Sequence, residues 1–256
     1  MNRSLIALLL AALPLAVTAN GFDRETFRAW VDMRTGGDGE AVYWYAVGEV
    51  YDYPSGELLM TVEGIDTART LWDEADANTA YQLSRKTFVY RDAETGEVLR
   101  EYAGQPVQQI EYPYQFITYQ LQADRLQTFV EQGAGKMKQR IGPGEDIRAR
   151  SVGDGILFSA PLFLDMEIPG AGRYQAFEHY DFMVEPGSDA APQCSWVRYG
   201  DLPPWAGGGP SIMHMVTWRI DNYADLPESM RSYLESDARL WMEPPRDLAE
   251  IRQLQQ

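Results

Sequence analysis

Apolar and polar residues alternate with a period of two through most of this chain, and short clusters of turn residues separate the alternating runs. Such runs predict β-strands. The predicted strands are 41–53, 57–64, 80–91, 97–103, 107–121, 155–168, 173–184, 193–199 and 211–220. Because no long helical pattern lies between them, the chain is expected to be mainly β: a single antiparallel meander. Closure into a barrel or a strongly curled sheet would remove the exposed edges.

Helical patterns are confined to three places. Residues 22–32 predict a short N-terminal helix with Asp23 as its N-cap, and residues 225–240 predict a C-terminal helix. The C-terminal helix is amphipathic, so it is expected on the outside of the barrel or across one end. For the stretch from Ala123 to Lys138 the sequence leaves two structures as alternatives, a helix and a lid loop, because the glycines within it weaken the helical pattern.

The first residues resemble a secretory signal peptide. Arg3 precedes an apolar run from Leu5 to Val17, and small residues follow at the expected cleavage position. We therefore expect residues 1–19 to be removed and residues 20–256 to form one β-rich domain in the periplasm or outside the cell. The apolar run is shorter than the ~20 residues of a membrane span, so no stable membrane association is expected after cleavage.

The composition of the chain restricts the classes of molecule that it is expected to bind. The net charge of −16 argues against nucleic acids and anionic lipid surfaces, because both select basic patches. The 15 Tyr and 7 Trp suit pockets for small organic ligands. With a single cysteine, Cys194, no disulfide can form within the chain, and the thiol is expected to pack as a small apolar group.

Both histidines lie on the predicted strands between Tyr174 and Arg219. Alternation puts His179 and Asp181 on one face of their strand, and His214 would meet them if its strand is adjacent or opposite. Two imidazoles and a carboxylate are the ligand set of some iron and zinc sites, so a divalent metal at these three residues is one alternative. The other alternative is a site that needs no cofactor.

That other alternative is acid–base chemistry. His179 or His214 would exchange a proton. Asp181 or Glu178 would fix the imidazole tautomer, and Tyr180 or Tyr199 would donate to a developing oxyanion. The predicted catalytic set is His179, His214, Asp181 and Tyr199. A serine hydrolase centred on Ser195 is disfavoured because no GxSxG sequence occurs. A glycosidase with paired carboxylates stays an alternative, since several acidic residues alternate along two strands.

A binding set is predicted around the same strands. Arg198 lies between aromatic residues, where its guanidinium is expected either to hold a carboxylate or phosphate or to pair with Asp201 or Glu178. Pro203-Pro204-Trp205 predicts a rigid loop at the rim. The predicted substrate-binding residues are Arg198, Tyr180, Trp196, Trp205, Glu178 and Arg219.

Several segments together resemble the family catalogued as domain of unknown function 1838. The segments are YRDAETGEVL (90–99), FMVEPG (182–187), SWVRYGDLPPW (195–205) and Met213-His214. The resemblance covers residues 27–245 and implies a fold rich in β-structure, with no settled activity. Where the family pattern has an Asn-Pro step after the hairpin, this chain has Ala103-Gly104-Gln105-Pro106.

Two functions follow as expectations. The first is an exported enzyme, such as a cofactor-free lyase or isomerase, acting on an apolar or aromatic organic substrate in the barrel. The second is a periplasmic protein that binds a hydrophobic small molecule without chemistry. They differ in whether the two histidines converge on one pocket, which an acid–base site requires and a binding site does not.

Overall fold

A computed structural model describes residues 21–134, 137–144, 147–168 and 172–255. The predicted signal peptide lies outside these residues. The helices are α1 (Arg24–Thr35), α2 (Glu228–Asp237) and α3 (Leu248–Leu254). The strands are β1 (Val42–Asp52), β2 (Leu58–Trp72), β3 (Thr79–Arg91), β4 (Glu101–Tyr102), β5 (Gln105–Pro106), β6 (Ile110–Gln122), β7 (Arg125–Ala134), β8 (Met137–Gly144), β9 (Arg148–Val152), β10 (Gly155–Ile168), β11 (Gly172–Val184), β12 (Gln193–Asp201) and β13 (Pro210–Ile220).

Eleven strands form one antiparallel sheet in the order β8-β7-β6-β3-β2-β1-β13-β12-β11-β10-β9. The first and last strands of the chain pair in the middle of this sheet, so both edges come from the centre of the sequence. Gly144 ends one edge strand and Arg148 begins the other, so four residue steps hold these ends within about 14 Å of each other. The sheet is therefore curled into a half-barrel, which confirms the predicted fold class.

Helix α1 lies inside the curl. The Trp30 ring packs edge-on against Tyr119 on β6, Phe158 on β10 and Phe182 on β11, with ring centres 5.3 to 5.8 Å apart. Those strands are the third, tenth and ninth of the sheet, so only a sheet wrapped around the helix brings them to one indole. The side that faces α1 is called the concave face below, and the other side the convex face.

The ends of α1 are fixed locally. The Asp23 carboxylate accepts a hydrogen bond of 2.7 Å from the backbone N–H of Thr26, as predicted for an N-cap. Gly36 ends the helix with φ +80°, a left-handed conformation that glycine adopts without strain. The N-terminal helix is thus confirmed, and it ends at Gly36, the first of the two glycines that follow the predicted residues 22–32.

The C-terminal helices cover the convex face. Met230 and Leu234 of α2 pack on Ile65 of β2 and Val89 of β3, which confirms the predicted outside position. Helix α3 was not expected from the sequence. It begins at Asp247, whose carboxylate caps the backbone N–H of Glu250, and Glu250 pairs with the buried Arg85 of β3. The signal for it is Asp247 three residues before Glu250, a capping pattern.

Two predicted elements are wrong. The stretch 123–138 is neither a helix nor a lid loop, because it forms β7 and the start of β8. Leu126 is buried and Val130 packs against the same apolar cluster, a period of two that the nearby glycines obscured. The predicted strand 97–103 does not form as one continuous partner of β3. Arg91 and Val98 form a single bridge beyond the turn, and the chain then folds into the separate β4–β5 hairpin.

Candidate functional site

The pairing of β11, β12 and β13 separates the predicted site residues onto opposite faces. His179 lies opposite Val197, and Val197 lies opposite His214, so the three share one row. Phe182, three residues from His179, contacts Trp30 on the concave face. Alternation therefore places both histidines on the convex face, with Asp181 and Tyr199.

The convex histidines have separate partners. His179 Nε2 lies 3.2 Å from the Asp181 carboxylate, which also accepts from the Ser159 hydroxyl. His214 Nε2 lies 3.2 Å from Ser195 Oγ, and His214 is exposed. Two strand spacings, about 10 Å, separate the backbones of the two histidines. Within the described ranges, no group of three or more His, Cys, Asp and Glu side chains is placed to hold a metal ion.

Tyr199, the fourth residue of the predicted catalytic set, is exposed on the convex face. Its ring packs edge-on against Tyr53, with centres 5.3 Å apart. No hydrogen bond links it to either histidine among the described residues. The four residues of that set therefore share a face, but only His179 and Asp181 touch.

On the concave face, Glu178 is the hydrogen-bond acceptor for two aromatic side chains. The Tyr180 hydroxyl donates to its carboxylate over 2.6 Å, and the Trp196 indole N–H donates over 3.3 Å. Burial, followed by the adjacent Glu178 charge, raises the pKa of Tyr180 well above its usual 10. Tyr180 therefore stays protonated and keeps its hydrogen bond across the working pH range.

Arg198 projects from β12 into the same side of the sheet. Its Nε donates to the Tyr174 hydroxyl over 2.9 Å, and its Nη2 donates to the main-chain oxygen of Asp201 over 3.0 Å. The guanidinium carbon lies 5.4 Å from the centre of the Tyr174 ring. Of the partners expected for this arginine, Asp201 is bound through its backbone.

The opposite wall carries residues that the sequence did not single out. Lys86 of β3 holds its ammonium 5.8 Å from the centre of the Tyr112 ring on β6. Burial raises the pKa of Tyr112, and the Glu178 carboxylate raises it further, while Arg198 opposes the change. Tyr112 is thus electrostatically coupled to β11 and β12, although five strands lie between β6 and β11 along the sheet.

A buried ion pair joins α1 to this face. The guanidinium of Arg34 lies 3.7 Å from the Asp66 carboxylate and 4.9 Å from the centre of the Phe182 ring. Asp66 is only 8 % exposed, and its Oδ1 has no hydrogen-bond partner among the described residues. Burial raises the pKa of this carboxyl, with Lys86 and Arg34 acting in the opposite direction.

Trp205 and Arg219 have separate places. Trp205 lies in a 3₁₀ turn and packs edge-on against Tyr90 and Tyr102, with centres 5.0 and 6.2 Å away, so it closes the concave side at the end away from α1. Arg219 donates to the main-chain oxygen of Asp32 over 2.7 Å. The same guanidinium nitrogen lies 3.4 Å from the main-chain oxygen of Met33, so Arg219 contacts two carbonyls in the last turn of α1.

Half-buried aromatic and charged residues thus line the concave face between two apolar clusters. One cluster surrounds α1, and the other includes Trp205. The residues between them are Lys86, Tyr112, Tyr174, Glu178, Tyr180, Trp196 and Arg198. Lys86 lies on the same face of β3 as Ser84 and Tyr90, which are buried. A charged residue on that face is the sequence signal that could have identified it.

No protein-family model, curated protein or solved structure matches the chain. The resemblance to domain of unknown function 1838 stays a prediction. In the part of the chain that the structure describes, no helix is long and apolar enough to cross a membrane.

Proposed function

We propose that the chain is an exported protein whose concave face binds a small aromatic organic molecule. The observation that carries the proposal is the arrangement of half-buried aromatic and charged side chains on two facing walls. β3 and β6 supply one wall, and β11 and β12 supply the other. Small-molecule sites combine apolar walls with a few placed polar groups in this way.

The partial exposure of the aromatic side chains supports the presence of unfilled space beside the concave face. Tyr112, Tyr174, Tyr180 and Trp196 all point toward the enclosed side of the sheet, yet each keeps accessible surface. In a filled interior such rings would be fully buried, as Phe158 and Phe27 are around α1. The flat rings of Tyr180 and Trp196, with centres 5.9 Å apart, offer a wall for an aromatic ligand.

Export is part of the proposal. It depends on the leader-like residues 1–19, with a positive charge before an apolar run and small residues at the cleavage position. A protein in the periplasm or outside the cell can encounter organic molecules before they reach the cytoplasm. Edman sequencing of the secreted chain tests this directly, and we expect the mature N-terminus at Asn20. An intact leader would contradict it.

Binding is tested by native mass spectrometry of the mature chain for a retained organic molecule, followed by calorimetric titration with 2-naphthamide, a neutral bicyclic aromatic probe. We expect saturable binding of one molecule. Tyr112→Ala should weaken it roughly tenfold, by loss of one aromatic contact of about 1.4 kcal/mol. The matched control Tyr199→Ala removes a convex tyrosine and should leave affinity unchanged. Absence of saturable binding, or equal losses in both variants, would contradict the proposal.

A cofactor-free lyase or isomerase is the second candidate, and one observation favours it. Glu178 and Tyr180 place a carboxylate and a protonated hydroxyl together on the concave face, a pair suited to removing a proton and stabilising an oxyanion. The test is to incubate the protein with the molecule it retains and to analyse that molecule by mass and NMR. Conversion that Glu178→Gln abolishes would establish an enzyme, and an unchanged molecule would contradict it.

A further inference from the structure

We infer that the molecule bound on the concave face carries a carboxylate, which Lys86 and Arg198 hold from opposite walls; this inference rests on the proposed function. The two cations extend from β3 and β12, the fourth and eighth strands of the sheet. Tyr112 lies between them. The Lys86 ammonium is 5.8 Å from its ring centre, and the Arg198 charge acts on its hydroxyl.

A carboxylate lies opposite each cation in the strand register, Asp66 opposite Lys86 and Glu178 opposite Arg198. Among the described residues, however, neither Lys86 nor Arg198 forms an ion pair with Asp or Glu within 4 Å. Arg198 donates to the Tyr174 hydroxyl and to a main-chain oxygen, both of which are uncharged. Arg34 lies 3.7 Å from the Asp66 carboxylate and Lys86 also acts on it, so two cations share one negative charge. The Glu178 carboxylate accepts from Tyr180 and Trp196. Half-buried cations without an ion-pair partner of their own are costly, and an anionic ligand removes that cost.

The part of the concave face between the two apolar clusters has one more positive than negative charge. Of the charged side chains described in or next to this part, Arg34, Lys86 and Arg198 are positive, whereas Asp66 and Glu178 are negative. Arg219, at the α1 end of the face, is paired with Asp221. This excess is notable in a chain of net charge −16. A ligand with a single negative charge, such as an aromatic carboxylate, balances it. The Glu178 carboxylate repels a second anionic group on the β11 side, so a ligand with a single acid is favoured, with that acid between Lys86 and Arg198 and its ring toward Trp196.

Two probes of equal size separate this inference from the proposed function. 2-Naphthoate and 2-naphthamide share a ring system and differ in charge, and calorimetric titration measures both. We expect the acid to bind roughly tenfold to hundredfold more tightly, as charged hydrogen bonds of about 1.5–3 kcal/mol imply. Lys86→Gln and Arg198→Gln should each remove most of that preference, measured as the ratio of acid affinity to amide affinity within the same variant.

The controls keep the result interpretable. Arg173→Gln removes an exposed arginine of β11 that pairs with Asp165, and the preference should persist. Lys86→Arg keeps the charge and should keep the preference, even if Lys86→Gln is unstable. Equal affinity for acid and amide in the wild-type protein would overturn the carboxylate and leave the proposed binding function standing. Binding of neither compound would overturn both.

Discussion

The guanidinium of Arg34, near the end of α1, lies 3.7 Å from the carboxylate of Asp66 on β2, inside the curl of the sheet. Each side chain is 12 % exposed, so the pair is largely removed from water. It is one of the polar links between the enclosed helix and the strands around it. The same carboxylate faces Lys86 across the strand pairing, so this pair borders the proposed ligand site.

Asp66→Asn is expected to destabilise the protein by about 3 kcal/mol, because it leaves the Arg34 charge buried without its partner. Urea unfolding followed by far-ultraviolet circular dichroism measures the change. Asp165→Asn is the matched control, since it breaks the exposed pair with Arg173 and should change stability little. A loss no larger than that of the control would show that Arg34 does not depend on Asp66.

Trp30→Ala tests whether the sheet is wrapped around α1. Trp30 is 3 % exposed and touches three strands from distant parts of the sheet, so its removal should cost about 4 kcal/mol. Phe163→Ala is the aromatic control. Phe163 is 77 % exposed on β10, and its loss should cost less than about 0.5 kcal/mol. Similar costs for the two variants would contradict an enclosed helix.

Glu250 is expected to make stability depend on acidic pH. Burial alone would raise the pKa of its carboxyl, but hydrogen bonds from the Arg246 backbone and the Arg85 guanidinium outweigh it and lower the pKa from 4.5 to about 2. A lowered folded-state pKa contributes stability above pH 4.5 that is lost as the pH falls toward 2. The contribution is at most about 3 kcal/mol.

Glu250→Gln should therefore be less stable than wild type at pH 6, and the difference should shrink as the pH falls to 2. Urea unfolding at a series of pH values measures both chains. Glu57→Gln, at an exposed carboxylate of the β1–β2 turn, should run parallel to wild type throughout. A gap that stays constant from pH 6 to pH 2 would refute the role assigned to the Arg85–Glu250 pair.

Much of the strand pattern is local and was predictable. The predicted strand 155–168 coincides with β10, and Asp23 caps α1 as expected. The stretch 123–138 failed because glycines near its end obscured an alternation that burial of Leu126 in the folded sheet decides. Local pattern does not report which strands curl over the N-terminal helix, so the enclosed position of α1 was not expected.

The candidate site was predictable only in part, for a related reason. Alternation correctly separated His179 and Asp181 from Glu178 and Tyr180, but it does not reveal which face of a strand becomes concave. That choice depends on the contact of Phe182 with Trp30. Lys86 and Tyr112 lie far along the chain from β11 and β12, and only the curl of the sheet brings them opposite Arg198.

We propose that ligands bind on the concave face and not beside the convex histidines. Ala160 of β10 lies opposite Tyr180 on the concave face, and Val197 lies between His179 and His214 on the convex face. We would titrate 2-naphthoate into Ala160→Trp and Val197→Trp, two variants that add the same bulk to opposite faces. We expect Ala160→Trp to lose binding and Val197→Trp to bind as wild type does. Loss of binding in Val197→Trp with retention in Ala160→Trp would contradict this proposal and return the site to the histidines.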